Sequence, residues 1–495
     1  MEFISTRGGA AASAGSAILQ GMAKDGGLFV PSSFPIITKE QMDEMLDWDY
    51  PRRAAFILKR FLSDYTEEEL SEYCAAAYSK FDGDPAPVLK MDEATFLMEL
   101  FHGPTLAFKD IALTLLPYLI RGARKKAGSD HKTLILVATS GDTGKAALEG
   151  FKDVEGTEII VFYPSEGVSD MQKLQMQTSE GSNVHVVGIE GNFDDAQTAV
   201  KSIFKDPEAI RRLDKMGYAF SSANSINWGR LCPQIVYYFS AYLDLVAAGE
   251  TLLGEPVNFV VPTGNFGNIL AGYYARRMGL PIAKLIVASN RNNVLTDFFT
   301  TGNYDVNRAF HKTMSPSMDI LISSNLERLL FEIGGRDPEY VKSAMRDLEV
   351  YGSYTLDFDR MQAEIPEFVA YCSSEEETAD AIDNFFDMFD YTLDPHTAVA
   401  VSAYYNYLTD TEDETETVIL ATASPFKFSS DVLRSLTRKE EKDPFRAAKK
   451  LASYTMEEIP EQIAALESLP VRHKLVIPKG VIKETVFDLL SSDKG

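Results

Sequence analysis

Lys109 lies in the stretch FHGPTLAFKDIAL, residues 101–113, where a short apolar run, a Gly-Pro turn and an apolar helical pattern meet. An ammonium is costly to bury without a partner. A lysine in such surroundings either reaches solvent or loses its proton, and a neutral lysine amine attacks carbonyls. Taken alone it also reads as a surface lysine in the first turn of a helix, with Thr105 as a cap for that helix. Three more clusters have comparable placement. VATSGDTGKAAL, 137–148, ends a strand in Ser140, Gly141, Asp142, Thr143 and Gly144 before a helix. Amides and hydroxyls at a helix start hold a carboxylate or phosphate, or simply cap the helix. VPTGNFGNIL, 261–270, places Gly264, Asn265, Phe266, Gly267 and Asn268 between a strand and a helix. Glycines there allow backbone amides to approach a phosphate, although the spacing is neither GxGxxG nor a Walker motif. ATASPFKFSSDV, 421–432, sets Thr422 and Ser424 at a strand end with Lys427 close by. Such hydroxyls bind a ring nitrogen or merely satisfy backbone.

The elements that position these clusters alternate. TFLMELF, TLILVATS, EIIVFYP, VHVVGIEG, YAFSSAN, VNFVVPTG, KLIVASN and TVILATAS read as short buried strands separated by helical segments. Strands of this kind form parallel sheets covered on both faces. All four clusters then fall at carboxyl ends of strands, where open α/β sheets bind ligands. The first 90 residues read as mostly helical, from amphipathic segments such as KEQMDEML and TEEELSEYCAAAYSK, and DGDPAPV (82–88) reads as a linker. From about 295 to 390 the pattern is less regular and richer in acids, and the tail from Arg438 reads as charged, helical and peripheral. The expected division is 1–90, 91–437 and 438–495.

The 495 residues are too many for one ordinary domain. With 45% apolar and 24% charged residues the composition is that of a globular protein, and no apolar run stands out as long enough to span a bilayer. The formal charge of −25 opposes nucleic acid and anionic membrane as partners. It also means that an anionic ligand must be held by local cations against a repulsive field. Cys74, Cys232 and Cys372 fit neither a disulfide framework nor a zinc site, no metal is expected, and a reducing cytoplasm is the simplest compartment. The N-terminus lacks the pattern of a secretory signal.

In order along the chain, HGPTLAFKD, SGDTG, GNFGN and TASPFKF resemble the motifs of the threonine synthases, pyridoxal-phosphate enzymes of the tryptophan-synthase-β fold (fold type II). ISTRGG at 4–9, DGGLFVP at 25–31 and SANSINWGRLCPQIVYYF at 222–239 match as well, so the resemblance covers nearly the whole chain and is of the long type with an extra N-terminal segment. It implies two sheet-centred α/β domains flanking a cofactor cleft. It also implies conversion of O-phospho-L-homoserine and water to L-threonine and phosphate, the last step of threonine biosynthesis, by γ-elimination and addition of water at Cβ. Lys109 would carry pyridoxal 5'-phosphate and move protons. Gly264 to Asn268 would bind the cofactor phosphate, and Thr422 would face the pyridine nitrogen. Ser140, Gly141, Asp142 and Thr143 would receive the substrate α-carboxylate. Asp142 would also stand beside the cofactor 3'-oxygen, a position where most relatives of the wider fold carry Asn, and one of these two adjacent groups would then hold a proton.

Arg230, with Ser222 and Asn224, matches the region that holds the substrate phosphate, and reads equally as part of a helix-capping cluster. Lys427 serves a phosphate or only its loop. His396 reads as packing or orienting the site, and YYF at 237–239 as core helix. A phospho-amino-acid lyase or a serine/threonine dehydratase would share Lys109 and the cofactor loop. A silent paralogue that only binds ligand would be free to lose the lysine. The expected assembly is a monomer or homodimer.

Overall fold

The computed structural model describes residues 1–139, 141–165, 168–191 and 193–492. Two sheets organise it. The larger runs Phe368–Cys372, Ile282–Ser289, Val257–Pro262, Thr417–Ala421, Thr95–Glu99 and Val88–Lys90 from edge to edge. Its neighbours are parallel except for the last pair, which is antiparallel. The smaller runs Val476–Pro478, Val184–Glu190, Thr157–Pro164, Lys132–Ala138 and Tyr218–Ser221, all parallel. Every residue of Val257–Pro262, Thr417–Ala421 and Thr157–Pro164 is buried. That is why these strands read as unbroken apolar runs rather than alternating ones: helices cover both faces. The smaller sheet's first four strands in sequence lie between Thr95–Glu99 and Val257–Pro262, so the chain leaves the larger sheet, builds the smaller one and returns.

The N-terminal segment combines a strand pair, Phe3–Ser5 with Phe29–Pro31, and helices that include Tyr50–Phe61 and Glu67–Tyr78. Asp49 and Thr66 cap these two helices through their side chains. The irregular stretch after 295 contains helices and the half-buried edge strand Phe368–Cys372, whose short apolar run FVAYC lies among acidic residues. The tail departs from the expectation of a peripheral helical segment. Val476–Pro478 extends the smaller sheet, and the helix Ile482–Ser492 buries Ile482, Val486, Phe487 and Leu490 in that sheet's core.

The helix Trp228–Ala248 crosses the core of the molecule. By length and composition it is apolar enough to cross a bilayer, contrary to the expectation that no segment suffices, and most of its most apolar window is buried within the protein. Its apolar surface is used by tertiary packing, with Trp228, Tyr237, Tyr238 and Tyr242 fully buried.

Candidate active site

Lys109 begins the short helix Lys109–Leu113. The segment before it is clamped to the end of the central strand Thr417–Ala421: Phe108 N donates to Thr422 O (2.9 Å), and Ser424 N donates to Leu106 O (3.1 Å). Lysine and strand-end hydroxyl are thereby held side by side. No side chain caps this helix. The relation expected of Thr105 runs the other way, because Asp110 accepts from Thr105 N (2.8 Å) and Thr105 Oγ1 (2.6 Å) and so ties the HGPT turn onto the helix. Burial pushes the Asp110 carboxyl up to about 6 against these hydrogen bonds.

The Lys109 side chain is 11% exposed, with Nζ 3.6 Å from Asp142 Oδ2 and 3.4 Å from Ser317 Oγ. Burial lowers its pKa, Asp142 opposes this, and the charges of Lys427 and Arg230 add to the lowering, so the net direction is down. The neutral, nucleophilic amine is therefore easier to reach here than on a free lysine.

Asp142 opens the helix Asp142–Phe151 and is buried. Its Oδ1 accepts from Gln172 Nε2 (2.9 Å) and pairs with Lys427 Nζ (2.9 Å), and its Oδ2 accepts from Ser317 Oγ (3.2 Å). Burial alone would raise its pKa, but Lys427 and Lys109 outweigh this and hold it well below the usual carboxylate range. Of the two protonation patterns expected beside a 3'-oxygen, this favours an ionised carboxylate. The turn before the helix requires glycine: Gly141 has φ 144°, and an added Cβ would lie 2.5 Å from the Gln172 side chain. Thr139 Oγ1 accepts from the amides of Gly141 and Gly144, both at 2.9 Å.

Ser317 lies in the turn Pro316–Met318 and is held from behind. Its amide donates to His396 Nε2 (3.1 Å), while His396 Nδ1 pairs with Asp394 Oδ1 (2.8 Å). An acceptor Nε2 requires the Nδ1–H tautomer, so Asp394 fixes the imidazole and the imidazole fixes the Ser317 turn. His396 thus orients the site.

The loop Gly264–Asn268 enters the helix Gly267–Arg277 with Phe266 in the left-handed region (φ 63°), and no side chain caps the helix. Its first-turn amides are the open anion site that a helix start provides. Asn268 Oδ1 accepts from the hydroxyls of Tyr237 and Tyr238, which leaves the buried Nδ2 with no hydrogen-bond partner. Gly267 packs closely: a Cβ there would lie 3.3 Å from Asn325 Nδ2 and 3.8 Å from Gln234 Nε2. Arg230, on the long helix Trp228–Ala248, is 3% exposed. It donates from Nη1 to Ala223 O, its Nε has no hydrogen-bond partner, and among the described residues no carboxylate pairs with it. Burial pulls its pKa down to about 10, so it remains a cation at neutral pH.

Lys109, Asp142, Thr143, Asn224, Arg230, Gly264 to Asn268 and Thr422 all line one cavity of about 130 Å³ between the two sheets. Gly141 and Ser222 do not line it. Gly141 shapes the turn beneath Asp142. Ser222 Oγ accepts from Asn224 N (3.1 Å), so it shapes the loop that carries Asn224. Ser140 lies outside the described residues. Among the described residues no group of three His, Cys, Asp or Glu gathers as a metal site. Gln172 and Ser317 were not identifiable from sequence: each meets Asp142 only through folding, from 30 and 175 residues away. Lys427 was visible as a cation in the TASPFKF motif, but its partner was not.

A lysine of lowered pKa near a strand-end threonine, an uncapped helix start and a buried arginine without a carboxylate partner, shared between two largely parallel sheets, define the class: an enzyme of pyridoxal-phosphate fold type II. Residues 85–423 match the family model described as pyridoxal-phosphate dependent enzyme, 2–78 match the threonine synthase N terminus, and 397–485 match the C-terminal domain of threonine synthase. Threonine synthase-like 1 of Homo sapiens is 41% identical over 86% of this chain, which spans 58% of that protein's length. Threonine synthase of Pseudomonas aeruginosa is 39% identical over 87% of this chain and 90% of its own. The crystal structure of pyridoxal-phosphate-bound threonine synthase from Brucella melitensis superposes with a TM-score of 0.88 at 37% identity, covering 100% of this chain and 99% of that one. The yeast threonine synthase structure gives 0.88 at 31% identity, covering 99% and 98%. The chain belongs to the threonine synthase family.

The residues present fit the cofactor. The partnerless Asn268 amide and the uncapped helix start match a phosphate, the low-lying Lys109 amine matches an aldehyde, and the Thr422 hydroxyl on the cavity wall matches a ring nitrogen.

Proposed function

We propose that the protein converts O-phospho-L-homoserine and water to L-threonine and phosphate, the last step of threonine biosynthesis, in the cytoplasm and as a monomer or homodimer. The observation that carries this reading is the single cavity in which a lysine of lowered pKa, an uncapped helix start and a buried arginine without a carboxylate partner meet. Pyridoxal phosphate, when bound, supplies the electron sink for carbanions at Cα and Cβ.

The chain's own residues supply position and proton traffic. Gly267 and Asn268 present amides to the cofactor phosphate, and Thr422 presents a neutral hydroxyl to its ring nitrogen. Asp142, kept ionised by Lys427, faces the 3'-oxygen side. Lys109 carries the cofactor, then as a free amine takes the substrate's Cα proton and later returns one. The helix start at Asp142 and Thr143 receives the α-carboxylate. Arg230 and Asn224 hold the γ-phosphate, and a guanidinium is suited to two phosphate oxygens at once. These local cations answer the net charge of −25, which otherwise repels an anionic substrate.

The test follows threonine and inorganic phosphate together from O-phospho-L-homoserine, with purified full chain and pyridoxal phosphate. Equal yields are expected. Phosphate accompanied by 2-oxobutyrate would instead point to the lyase reading, and no phosphate release at all would sink both.

A further inference from the structure

Lys427 is a second lysine at the site, so far only the partner that keeps Asp142 ionised. Its side chain is fully buried, with Nζ 2.7 Å from Thr105 O and 2.9 Å from Asp142 Oδ1. It does not line the cavity, and its ammonium is engaged by Thr105 and Asp142. Asp142 has only two oxygens to share. Oδ1 is taken by Lys427 and Gln172, and Oδ2 accepts from Ser317, while Lys109 remains at 3.6 Å, beyond good hydrogen-bond distance.

We propose that Lys427 is a positioning residue for Lys109: it holds Asp142 Oδ1 at 2.9 Å, so that the Lys109 amine keeps only a loose 3.6 Å contact with Oδ2 rather than a close ion pair and stays available as nucleophile and base. The inference rests on the reading of Lys109 as the reactive amine. The charged groups facing Lys109 are Asp142, Lys427 and Arg230; His396 also faces Asp142, and Asp110 faces Lys427. Asp110 is occupied by Thr105, so Asp142 is the carboxylate that either lysine can take. Without Lys427, Asp142 turns to Lys109, and both the lost repulsion and the gained attraction favour the protonated amine.

The experiment measures Lys109 acetylation by trace acetic anhydride against pH, by peptide mass spectrometry, on the full chain freed of cofactor. In Lys427→Met the midpoint should rise by about one pH unit or more, so that at a pH below both midpoints labelling slows about tenfold. Lys427→Arg should stay near the parent. In the double variant with Asp142→Asn the midpoint should return to the parent value or below. Asp142→Asn alone keeps Lys427's charge and should lower the midpoint, which serves if Lys427→Met does not fold. An unmoved midpoint in Lys427→Met or in Asp142→Asn overturns the proposal, as does a raised midpoint that persists in the double variant. The titration uses neither cofactor nor substrate. A failure of the threonine synthase reading therefore appears in the turnover assay, separately from a failure here.

Discussion

In the proposed reaction Lys109 and Arg230 are the two side chains on which the chemistry would turn, and both can be tested singly. Lys109→Ala should abolish the visible absorption of bound pyridoxal phosphate and lower turnover by more than about a thousandfold, with little change in melting temperature. Substantial residual activity would remove Lys109 from its role. For Arg230→Leu, loss of a partly desolvated, charge-assisted contact of about 1.5–3 kcal/mol should lower kcat/KM for O-phospho-L-homoserine roughly ten- to a few hundred-fold. The visible absorption should persist at saturating cofactor. Arg230 and the Gly267 cradle share one cavity, and Gln234, one helical turn beyond Arg230, lies against Gly267. A variant that loses cofactor while keeping substrate affinity would therefore reassign Arg230 to the cofactor phosphate. At this scale the sequence was informative where chemistry and backbone conformation coincide. Lys109 comes just after a Gly-Pro turn, and Gly264 and Gly267 bracket a strand–helix junction. It was silent where a contact is purely tertiary. Nothing in the types or spacing of Gln172, Ser317 and Asp394 says that they stand behind Asp142 and Lys109.

The elements determine how well these side chains are held. The proposed cofactor loop enters its helix with Phe266 at φ 63°, and that ring is fixed by stacking on Phe299 and Phe368 at 5.8 and 5.9 Å. Gly267→Val places a branched side chain where the backbone must approach both Asn325 and a phosphate. Pyridoxal phosphate should bind at least about tenfold more weakly, while the melting temperature falls only by a few degrees. Titration of cofactor into the variant checks this, and unchanged affinity would remove the loop from the cofactor site. The central strands were legible because burial on both faces leaves few polar positions, Asn258 and Thr417 being the exceptions in Val257–Pro262 and Thr417–Ala421. The edge strand Phe368–Cys372 was not singled out, although FVAYC is wholly apolar, because it is only five residues long in a stretch whose flanks are rich in acids. Ser315-Pro316 does favour the turn Pro316–Met318, but nothing local says that His396 holds that turn over the lysine.

Across the whole molecule, the tail is what joins the two sheets in a way the sequence concealed. Its strand is three residues long, and the tail from Arg438 begins with the charged run RKEEKD, so composition alone suggested a peripheral segment. In the fold, residues 471–492 leave the side of the larger sheet and complete the smaller one. Ile477, Ile482, Val486, Phe487 and Leu490 cover the face formed by Leu134, Ile160 and Ile189. The amides of Arg472 and His473 donate to Gln177 O at 2.9 and 3.0 Å. Gln177 ends the same helix, Asp170–Gln177, whose Gln172 donates to Asp142. The tail therefore anchors one end of a helix whose other end reaches the site. Five large apolar side chains at about 1.5–3 kcal/mol each give an upper bound near 7–15 kcal/mol of gross burial, comparable with the whole net stability of a domain. A chain ending at residue 470 should accordingly lose the smaller sheet before the larger. Hydrogen exchange should quicken across 132–138, 157–164 and 184–190, while 257–262 and 417–421 stay protected. Cofactor should be retained poorly even though Lys109, Gly267 and Thr422 are all present, because Asp142 and Gln172 belong to the loosened half. Uniform protection across both sheets, with cofactor bound as tightly as in the full chain, would show that the tail is peripheral after all.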